Sequence, residues 1–250
     1  MNPRHQKILD RLHQRGEVSV QELAEAFGVT PMTIRRDLDF LAEQNRLTRT
    51  HGGAMRSASA VIEFAFLERR RERIAEKQAI ARAAAALVEP GMTLVLDTGT
   101  TTLEVARAIV GVPDLTVLTS SLAIASALYG RENISLILLG GGVRQHSPDL
   151  SGPLTEENLR RFRTHLAVLG ADAADRDGLY TADQAIAAVS RAMIASAEET
   201  VLVADSDKFA KRAFVHFADW AEITHLVTDS GLGKDDQRWL AKAGVDVRVA

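Results

Sequence analysis

Residues 19–41 read SVQELAEAFGVTPMTIRRDLDFL, and this stretch decides the fold of the amino-terminal part of the chain. Ser19 and Glu22 have the Ser-x-x-Glu spacing of a capping box, in which each side chain satisfies a backbone donor of the other at a helix start. Gly28 supplies the residue for a tight turn. Thr30-Pro31 then starts a new helix, with an N-cap hydroxyl followed by proline at the first helical position. The stretch therefore predicts a helix, a short turn and a second helix, the helix-turn-helix arrangement.

The residues on either side of this stretch complete a small domain. Ile8, Leu9 and Leu12 form the apolar stripe of an earlier helix that stops at Gly16. Residues 47–54, which contain two consecutive glycines, are typical of a two-stranded wing. We therefore expect residues 1–56 to form a winged helix-turn-helix domain.

The third helix of this domain has a face suited to DNA. On a helical wheel, Arg36 lies about 200° from the buried Ile34, and Arg35 lies at the flank. Arginine can bond bidentately to guanine, and threonine or methionine can touch a thymine methyl group. The alternative is that both arginines are only solvated, or pair with Asp39, but the caps and the basic wing together favour DNA binding. The predicted DNA contacts are Thr30, Met32, Thr33, Arg35, Arg36, Arg46, Arg49 and His51.

The charge of the chain divides unevenly at Arg56. The whole sequence has 250 residues and a formal net charge of -3. Residues 1–56 carry nine Lys/Arg and seven Asp/Glu, so +2, and the remaining 21 basic and 26 acidic residues give -5. The modest excess of positive charge predicts that DNA affinity depends on dimerisation and on a few well-placed arginines.

The composition excludes several classes of protein. An apolar fraction of 46% with 25% charged residues is that of a folded globular chain and excludes intrinsic disorder. With no cysteine, the chain has no disulfide, thiolate metal site or cysteine nucleophile. We expect a cytoplasmic protein with no membrane segment, no bound metal and no cofactor, since no apolar run, leader-like segment or metal-ligand spacing is present.

The larger part of the chain alternates apolar strands with helical patterns. The predicted strands are residues 93–96, 115–118, 134–138, 166–169, 201–203, 226–227 and 245–249. This alternation is typical of a mostly parallel sheet covered by helices on both faces, an α/β domain. We expect this effector-binding and oligomerisation domain to span residues 77–250, after a linker helix at 57–76. The arginines near 69–73 predict a solvated connecting helix, a DNA-backbone contact or an interdomain ion-pair seam.

Polar residues and glycines follow five of these strands. Because ligands bind at the carboxyl ends of strands in such sheets, these residues are candidates for one shared site. A run of threonines at a helix start favours an anion such as phosphate, although simple capping is the alternative. The predicted effector contacts are Asp97, Gly99, Thr100, Thr101, Thr102, Thr119, Ser120, Ser121, Gly141, Arg144, Asp172, Asp205 and Lys208.

Both parts of the chain resemble the DeoR-type bacterial transcriptional regulators. The likeness is carried by Glu22-Leu23-Ala24, Phe27-Gly28-Val29, Thr33-Ile34-Arg35-Arg36-Asp37-Leu38, His51-Gly52-Gly53-Ala54, Asp97-x-Gly99-Thr100-Thr101, Gly140-Gly141-x-x-Arg144, Gly170-Ala171-Asp172 and Asp205-x-x-Lys208-Phe209. The resemblance implies a sensor domain related to ribose-5-phosphate isomerase and CoA-transferase-like folds. It also implies a phosphorylated sugar or polyol effector, with phosphate held by residues 99–102 and hydroxyl groups by Asp97, Asp172 and Lys208.

This sequence departs from the family at two places. Ser120-Ser121 stands where members often have asparagine, and residues 186–190 (IAAVS) lack the glutamate and lysine often found there. The resemblance implies that this wall of the pocket is less polar, so that the effector of a relative cannot be transferred to this chain.

Three functions are compatible with the sequence. The favoured one is a homo-oligomeric regulator, dimer or tetramer, that represses a carbohydrate-utilisation operon by binding double-stranded operator DNA. A phosphorylated sugar or polyol would release or modulate it. The main alternative is a sugar-phosphate isomerase with a DNA-binding appendage, in which Asp97 and Lys208 move protons. A third is a constitutive DNA-binding protein whose larger domain only oligomerises.

Overall fold

The computed structural model describes residues 2–44, 46–55, 66, 69, 71–144 and 147–250. The chain divides into two compact units, Met1–Glu68 with Gln145–Ser147, and Arg69–Arg144 with Pro148–Ala250. Arg56 and most of the predicted linker (57–65, 67, 68 and 70) lie outside the described residues. The domain boundaries drawn from the sequence therefore stay predictions.

Up to Met55, the described residues of the first unit form three helices and a small sheet. Its elements are α1 (Pro3–Arg15), β1 (Glu17–Ser19), α2 (Val20–Phe27), α3 (Pro31–Glu43), β2 (Thr48–Arg49) and β3 (Gly53–Met55). Ile8, Leu23, Ile34 and Leu38 belong to one buried cluster shared by the three helices. The predicted helix-turn-helix is confirmed.

Local side-chain chemistry sets the helix boundaries in this unit. The capping box is present, because the Ser19 hydroxyl accepts from the Glu22 amide while the Glu22 carboxylate accepts from the Ser19 amide. Gly28 ends α2 in the left-handed conformation, at φ 64° and ψ 35°, which costs glycine little. The Thr30 hydroxyl accepts from the Thr33 amide, and Pro31 begins α3. Each of these predicted signals is confirmed.

The wing has one strand more than the sequence indicates. The sheet order is β1-β3-β2 and both pairings are antiparallel. Val18 pairs with Ala54, and both side chains are buried. A three-residue strand is too short for a period-two pattern to reveal it, so β1 was absent from the sequence prediction.

Gly53 is required by this pairing. A Cβ atom at residue 53 would overlap the Val18 carbonyl oxygen and lie 2.9 Å from the Ser19 Cα. We expect Gly53→Ala to destabilise the wing by about 1–3 kcal/mol, the usual cost of overpacking. Hydrogen exchange at residues 17–19 and 53–55 measures this cost. Gly52→Ala is the matched control because a Cβ at residue 52 meets nothing within 4 Å, and equal exchange in both variants would contradict the steric account.

The second unit is an α/β domain. Its helices are α4 (Ile74–Ala85), α5 (Thr100–Ala108), α6 (Leu122–Leu128), α7 (Pro153–Leu159), α8 (Gln184–Ser196) and α9 (Lys234–Lys242). Its strands are β4 (Thr93–Leu96), β5 (Leu115–Thr119), β6 (Ile134–Leu138), β7 (Gly142–Val143), β8 (Leu150–Ser151), β9 (Thr164–Leu169), β10 (Ala173–Asp175), β11 (Gly178–Thr181), β12 (Ala197–Val203), β13 (Val215–Ala218), β14 (His225–Thr228) and β15 (Asp246–Val249).

Seven strands form one parallel sheet in the order β15-β14-β12-β9-β4-β5-β6. Val95, Leu118 and Leu202 share a core with Met193 of α8 on one side of the sheet. Side chains alternate between the faces of a strand, so Leu94 and its neighbours in register face the other side. There α4 and α5 pack together. The predicted α/β fold class is confirmed.

The seven strands of this sheet are the ones that the apolar runs predicted. The sequence missed the antiparallel pair β7-β8 and the small sheet β10-β11-β13, whose members have two to four residues. Among the described residues, no helix has the length and apolar character needed to cross a bilayer.

Candidate DNA-binding and effector sites

The outward face of α3 carries the predicted base-reading residues. Arg35 and Arg36 are exposed and Met32 is 56% exposed, while Ile34 and Leu38 are buried in the core. Within the described residues, neither arginine forms an ion pair or a side-chain hydrogen bond. Both guanidinium groups are therefore available to a ligand outside the chain.

The two threonines at the start of α3 are held together. The Thr30 and Thr33 hydroxyl oxygens lie 2.9 Å apart, and the Thr33 amide donates to the Thr30 hydroxyl oxygen at 3.3 Å. Their first role is to cap the helix, and both sit at the end of α3 from which a recognition helix enters the major groove.

The basic residues of the wing have different surroundings. Arg49 donates from Nε to Asp39 at 2.7 Å and from Nη1 to the Gly53 carbonyl, so Asp39 pairs with the wing and not with Arg35 or Arg36. His51 is exposed at the tip, and Arg46 is half-buried. The wing is thereby tied to the recognition helix through Arg49.

A buried carboxylate fixes α1 against α3. Asp37 accepts two hydrogen bonds from Arg4, at 2.6 Å and 3.0 Å, and its Oδ1 lies 2.9 Å from His5 Nε2. Burial alone would raise the pKa of Asp37, but the hydrogen bonds from Arg4 and His5 hold it below its ordinary value. The sequence reasoning missed this brace. The sequence did contain a sign of it: Asp37 is a carboxylate on the same apolar stripe as Ile34 and Leu38, and a buried charge needs a partner.

The predicted effector residues gather at one edge of the parallel sheet. Strands β12, β9, β4, β5 and β6 are consecutive neighbours, and their carboxyl ends therefore lie side by side. The predicted residues follow these ends: Asp205 and Lys208 after β12, Asp172 after β9, Asp97 and residues 99–102 after β4, residues 119–121 at β5, and Gly141 and Arg144 after β6.

Two buried polar groups at this edge can form hydrogen bonds that the described residues do not supply. The Gly170 amide donates to Asp97 Oδ2 at 3.2 Å, but Asp97 Oδ1 and the Ser120 hydroxyl find no hydrogen-bond partner among the described residues. Burial raises the pKa of Asp97 to about 7, and the nearby carboxylates of Asp149 and Asp172 add to the rise. A hydroxyl-bearing ligand would satisfy both groups, because each can donate or accept at neutral pH.

Other hydroxyl groups at the edge already serve the fold. Thr119 donates to the Leu96 carbonyl at 2.8 Å, Thr102 donates to the Gly99 carbonyl at 3.0 Å, and Ser121 caps α6 by accepting from the Ile124 amide. Gly99 precedes α5, and within the described part of the chain no side chain caps that helix. The first amides of α5 are thus left for an anion.

Arg144 is already neutralised by carboxylates. Its Nη1 donates to Asp149 Oδ2 at 3.0 Å and its Nη2 to Asp183 Oδ2 at 2.9 Å. Asp183 also caps α8, so Arg144 connects the end of β7 to that helix.

Two other predicted effector residues also have contacts within the fold. Asp172 accepts from the Thr181 hydroxyl at 3.0 Å. Gly141 has φ 128°, and a Cβ there would overlap the Thr155 hydroxyl. Arg144, Gly141 and Asp172 therefore each contribute to the structure of the domain, whether or not they also bind an effector.

A second ion-pair network stands at the ends of β12 and β14. Arg73 Nη2 donates to Asp229 Oδ2 at 2.9 Å, and Arg73 also pairs with Asp207 and lies 3.9 Å from Asp205. Burial alone would raise the pKa of Asp229, but hydrogen bonds from Ser206 and Gly231 and the charge of Arg73 lower it. Lys208 is half-buried in the short 3₁₀ turn that follows Asp205.

Two protein-family models match the chain. The DeoR-like helix-turn-helix domain matches residues 4–60, and the DeoR C terminal sensor domain matches residues 72–230. The chain belongs to the DeoR family of transcriptional regulators. It is thus a DNA-binding regulator with a sensor domain, as the sequence predicted.

Named relatives support the same assignment. The chain is 34% identical over 247 residues to the "Putative aga operon transcriptional repressor" of Escherichia coli O157:H7, covering 98% of this chain and 92% of the relative. It is 36% identical over 228 residues to the "Glycerol-3-phosphate regulon repressor" of Escherichia coli (strain K12), covering 91% and 90%. Among solved structures, ribose 5-phosphate isomerase A from Neisseria gonorrhoeae is similar at a TM-score of 0.40 and 15% identity, over 54% of this chain and 53% of that one.

The sequence reasoning missed several charged residues at the sensor edge. Asp149 and Asp183 bind Arg144, Asp229 binds Arg73, and Lys77 is buried in α4. Lys77 and Asp229 each carried a signal, since a charged residue on the buried face of a helix or at the end of an apolar strand needs a partner or a ligand. Their partners are distant in sequence and could not be read from a local pattern.

Proposed function

We propose that this DeoR-family chain is a repressor of a carbohydrate-utilisation operon that a phosphorylated sugar or polyol releases or modulates. The observation that carries the proposal is the sheet edge of the sensor domain. There an uncapped helix start lies directly after Asp97, the carboxyl group that carries an unpartnered buried oxygen. A polyol phosphate would satisfy both features, because its phosphate can bind at the helix start and its hydroxyl groups can bond to the buried carboxyl group of Asp97.

The proposed operator surface is the outward face of α3 with the wing. Arg36 and Arg35 would reach base edges, with Met32 beside them, while Arg46, Arg49 and His51 would contact phosphate or the minor groove. Because Asp37 fixes α3 against α1 through Arg4 and His5, the arginines are presented on a rigid helix.

We propose a homo-oligomer, dimer or tetramer, as the binding form. One helix-turn-helix domain reads only one half-site, and paired domains read half-sites about 34–36 Å apart or at multiples of that distance. Sedimentation of the full chain with and without a duplex tests this proposal, and a monomer in both conditions would overturn it.

We infer that the sensor domain binds its ligand and does not convert it. The relatives bear the names of regulators. The isomerase alternative has one observation in its favour, the pKa of Asp97 near 7, which would suit a proton carrier. Solvent hydrogen entering a bound sugar phosphate in an NMR assay would establish the enzyme, and exchange-free binding would support the sensor.

A thermal-shift screen of phosphorylated sugars and polyols tests the effector proposal. A ligand that binds only the native state stabilises it by about 2.7 kcal/mol at a concentration one hundred times its Kd. We expect at least one phosphorylated compound to raise the Tm, while its unphosphorylated parent has a much smaller effect. A panel in which no phosphorylated compound shifts the Tm would favour the constitutive DNA-binding alternative.

A further inference from the structure

A buried lysine lies beside the start of α5. Lys77 belongs to the first turn of α4, a helix that packs against α5, and it is only 5% exposed. Its Nζ donates to the Arg69 carbonyl oxygen, and the Thr100 hydroxyl of α5 donates to the same oxygen at 3.5 Å. Because both donors lie within hydrogen-bond reach of one atom, the Lys77 ammonium and the Thr100 hydroxyl are at most about 7 Å apart.

The Lys77 ammonium group can form more hydrogen bonds than the fold supplies. It has three N–H donors, but within the described residues the Arg69 carbonyl is its one hydrogen-bond partner, and no carboxylate forms an ion pair with it. Burial lowers the pKa of Lys77. The charges of Asp205 and Glu72 partly offset this fall, while those of Lys208 and Arg69 add to it. Two N–H groups of a buried cation are thus left for a ligand with negative charge.

A purely structural role does not account for a lysine at this position. Taking a charge out of water costs free energy unless an opposite charge compensates for it. A methionine of similar length would fill the same space without that cost, and the Arg69 carbonyl would keep the Thr100 hydroxyl as a donor. The charge at Lys77 therefore lowers the stability of the ligand-free domain, and its benefit comes when an anion binds.

The other features of the proposed phosphate site lie at the same turn. Thr100 is the first residue of α5, and among the described residues no side chain caps the initial amides of that helix. Residues 98–100 are half-buried, so a ligand can reach the turn from solvent. Asp97 directly precedes the turn and has an unpartnered buried oxygen. A phosphate at the helix start would thus have amides, a hydroxyl and an ammonium group within reach.

We propose that Lys77 binds the phosphate group of the effector, together with the first amides of α5 and the Thr100 hydroxyl. One N–H of the ammonium group stays on the Arg69 carbonyl, and the other two donate to phosphate oxygens. Hydrogen bonds between charged groups are about twice as strong as neutral ones, so Lys77 makes the site specific for a charged ligand over its uncharged parent. This inference rests on the proposed phosphate site and adds a cation to it.

Calorimetric titration of the full chain tests this role. The probes are inorganic phosphate and glycerol 3-phosphate, with glycerol as the uncharged control. Lys77→Gln removes the charge but keeps an N–H donor for the Arg69 carbonyl, whereas Lys77→Met removes both. We expect either variant to bind both anions about 10- to 150-fold more weakly, the usual effect of losing a hydrogen bond to a charged group. Lys234→Met, at an exposed lysine, is the matched control and should leave the affinity unchanged.

Thermal stability without a ligand separates binding from folding. Because Lys77→Met removes a buried charge that has no charged partner, its Tm without an anion should equal or exceed that of the unsubstituted chain. Either anion should then raise the Tm of the unsubstituted chain more than that of the variant at the same concentration. A lysine with only a structural role would give the opposite result, a lower Tm in the variant and an unchanged response to the anion.

Hydrogen exchange of residues 99–102 distinguishes this inference from the phosphate site itself. Either anion should slow exchange of these amides, and glycerol should not. Slowed exchange with equal anion affinity in the unsubstituted chain and in Lys77→Gln would overturn the role of Lys77 and leave the phosphate site standing. Exchange that neither anion slows would overturn both. If Lys77→Met does not fold, the affinity of Lys77→Gln decides, and failure of both variants to fold would make Lys77 a structural residue and overturn the inference.

Discussion

Arg36→Ala should weaken operator binding about 5- to 150-fold per half-site, a loss of about 1–3 kcal/mol. Arg36 is exposed on α3, opposite the buried Ile34, and forms no ion pair with a described residue. Its guanidinium therefore loses no internal partner when it binds a base. In a dimer on two half-sites the loss applies twice, which makes this the largest expected effect on DNA binding.

Gel-shift titration on a duplex enriched from a random pool by the unsubstituted chain measures this loss. Arg15→Ala is the control, because Arg15 is also an exposed arginine of the same domain but ends α1. The substitution at Arg36 should also relax the preference for one base pair, since a base contact carries sequence information and a phosphate contact does not. If the Arg36→Ala variant has the same affinity and the same base preference as the unsubstituted chain, α3 does not read the bases.

Asp97→Asn should stabilise the sensor domain at neutral pH, by up to about 4 kcal/mol at 1.36 kcal/mol for each pKa unit. The carboxylate form is disfavoured by burial, which raises its pKa to about 7 from the ordinary 3.8. Between those two values the folded chain binds more protons than the unfolded chain, so the free energy of unfolding falls as the pH rises. Asparagine has no charge to bury, so Asp97 no longer lowers the free energy of unfolding of the variant as the pH rises.

The measurement is the free energy of unfolding of both chains from pH 4.5 to pH 8. The advantage of the variant should grow with pH across this window and level off above about pH 7. Asp229→Asn is the control. The pKa of Asp229 is lowered from the ordinary 3.8, so its carboxylate contributes its full stabilisation above that pH and the effect of the substitution should not change across the window. A constant difference between Asp97→Asn and the unsubstituted chain would show that Asp97 is ionised throughout.

Most of the first unit could be predicted because its signals are local. The Ser19–Glu22 box and the Thr30 cap join groups three residues apart, and the apolar spacing of the helices repeats within a turn. Local apolar runs likewise predicted the strands of the parallel sheet. Short strands such as β1 and β7 carry no repeat and depend on pairing partners, so no window of sequence could reveal them.

The charged framework of the sites could not be predicted for a different reason. Arg4 and Asp37 are 33 residues apart, and Arg73 and Asp229 are 156 apart. Which arginine meets which carboxylate is decided by the packing of whole elements. The sequence placed Arg144 among effector ligands and could not show that Asp149 and Asp183 already neutralise it.

The most direct test of a ligand-controlled DNA-binding regulator is operator affinity as a function of effector concentration. A phosphorylated compound that raises the Tm should change the operator Kd by about 5- to 150-fold, and operator DNA should change the Kd of that compound by the same factor. An operator Kd that stays constant while the compound saturates the sensor domain would contradict the account.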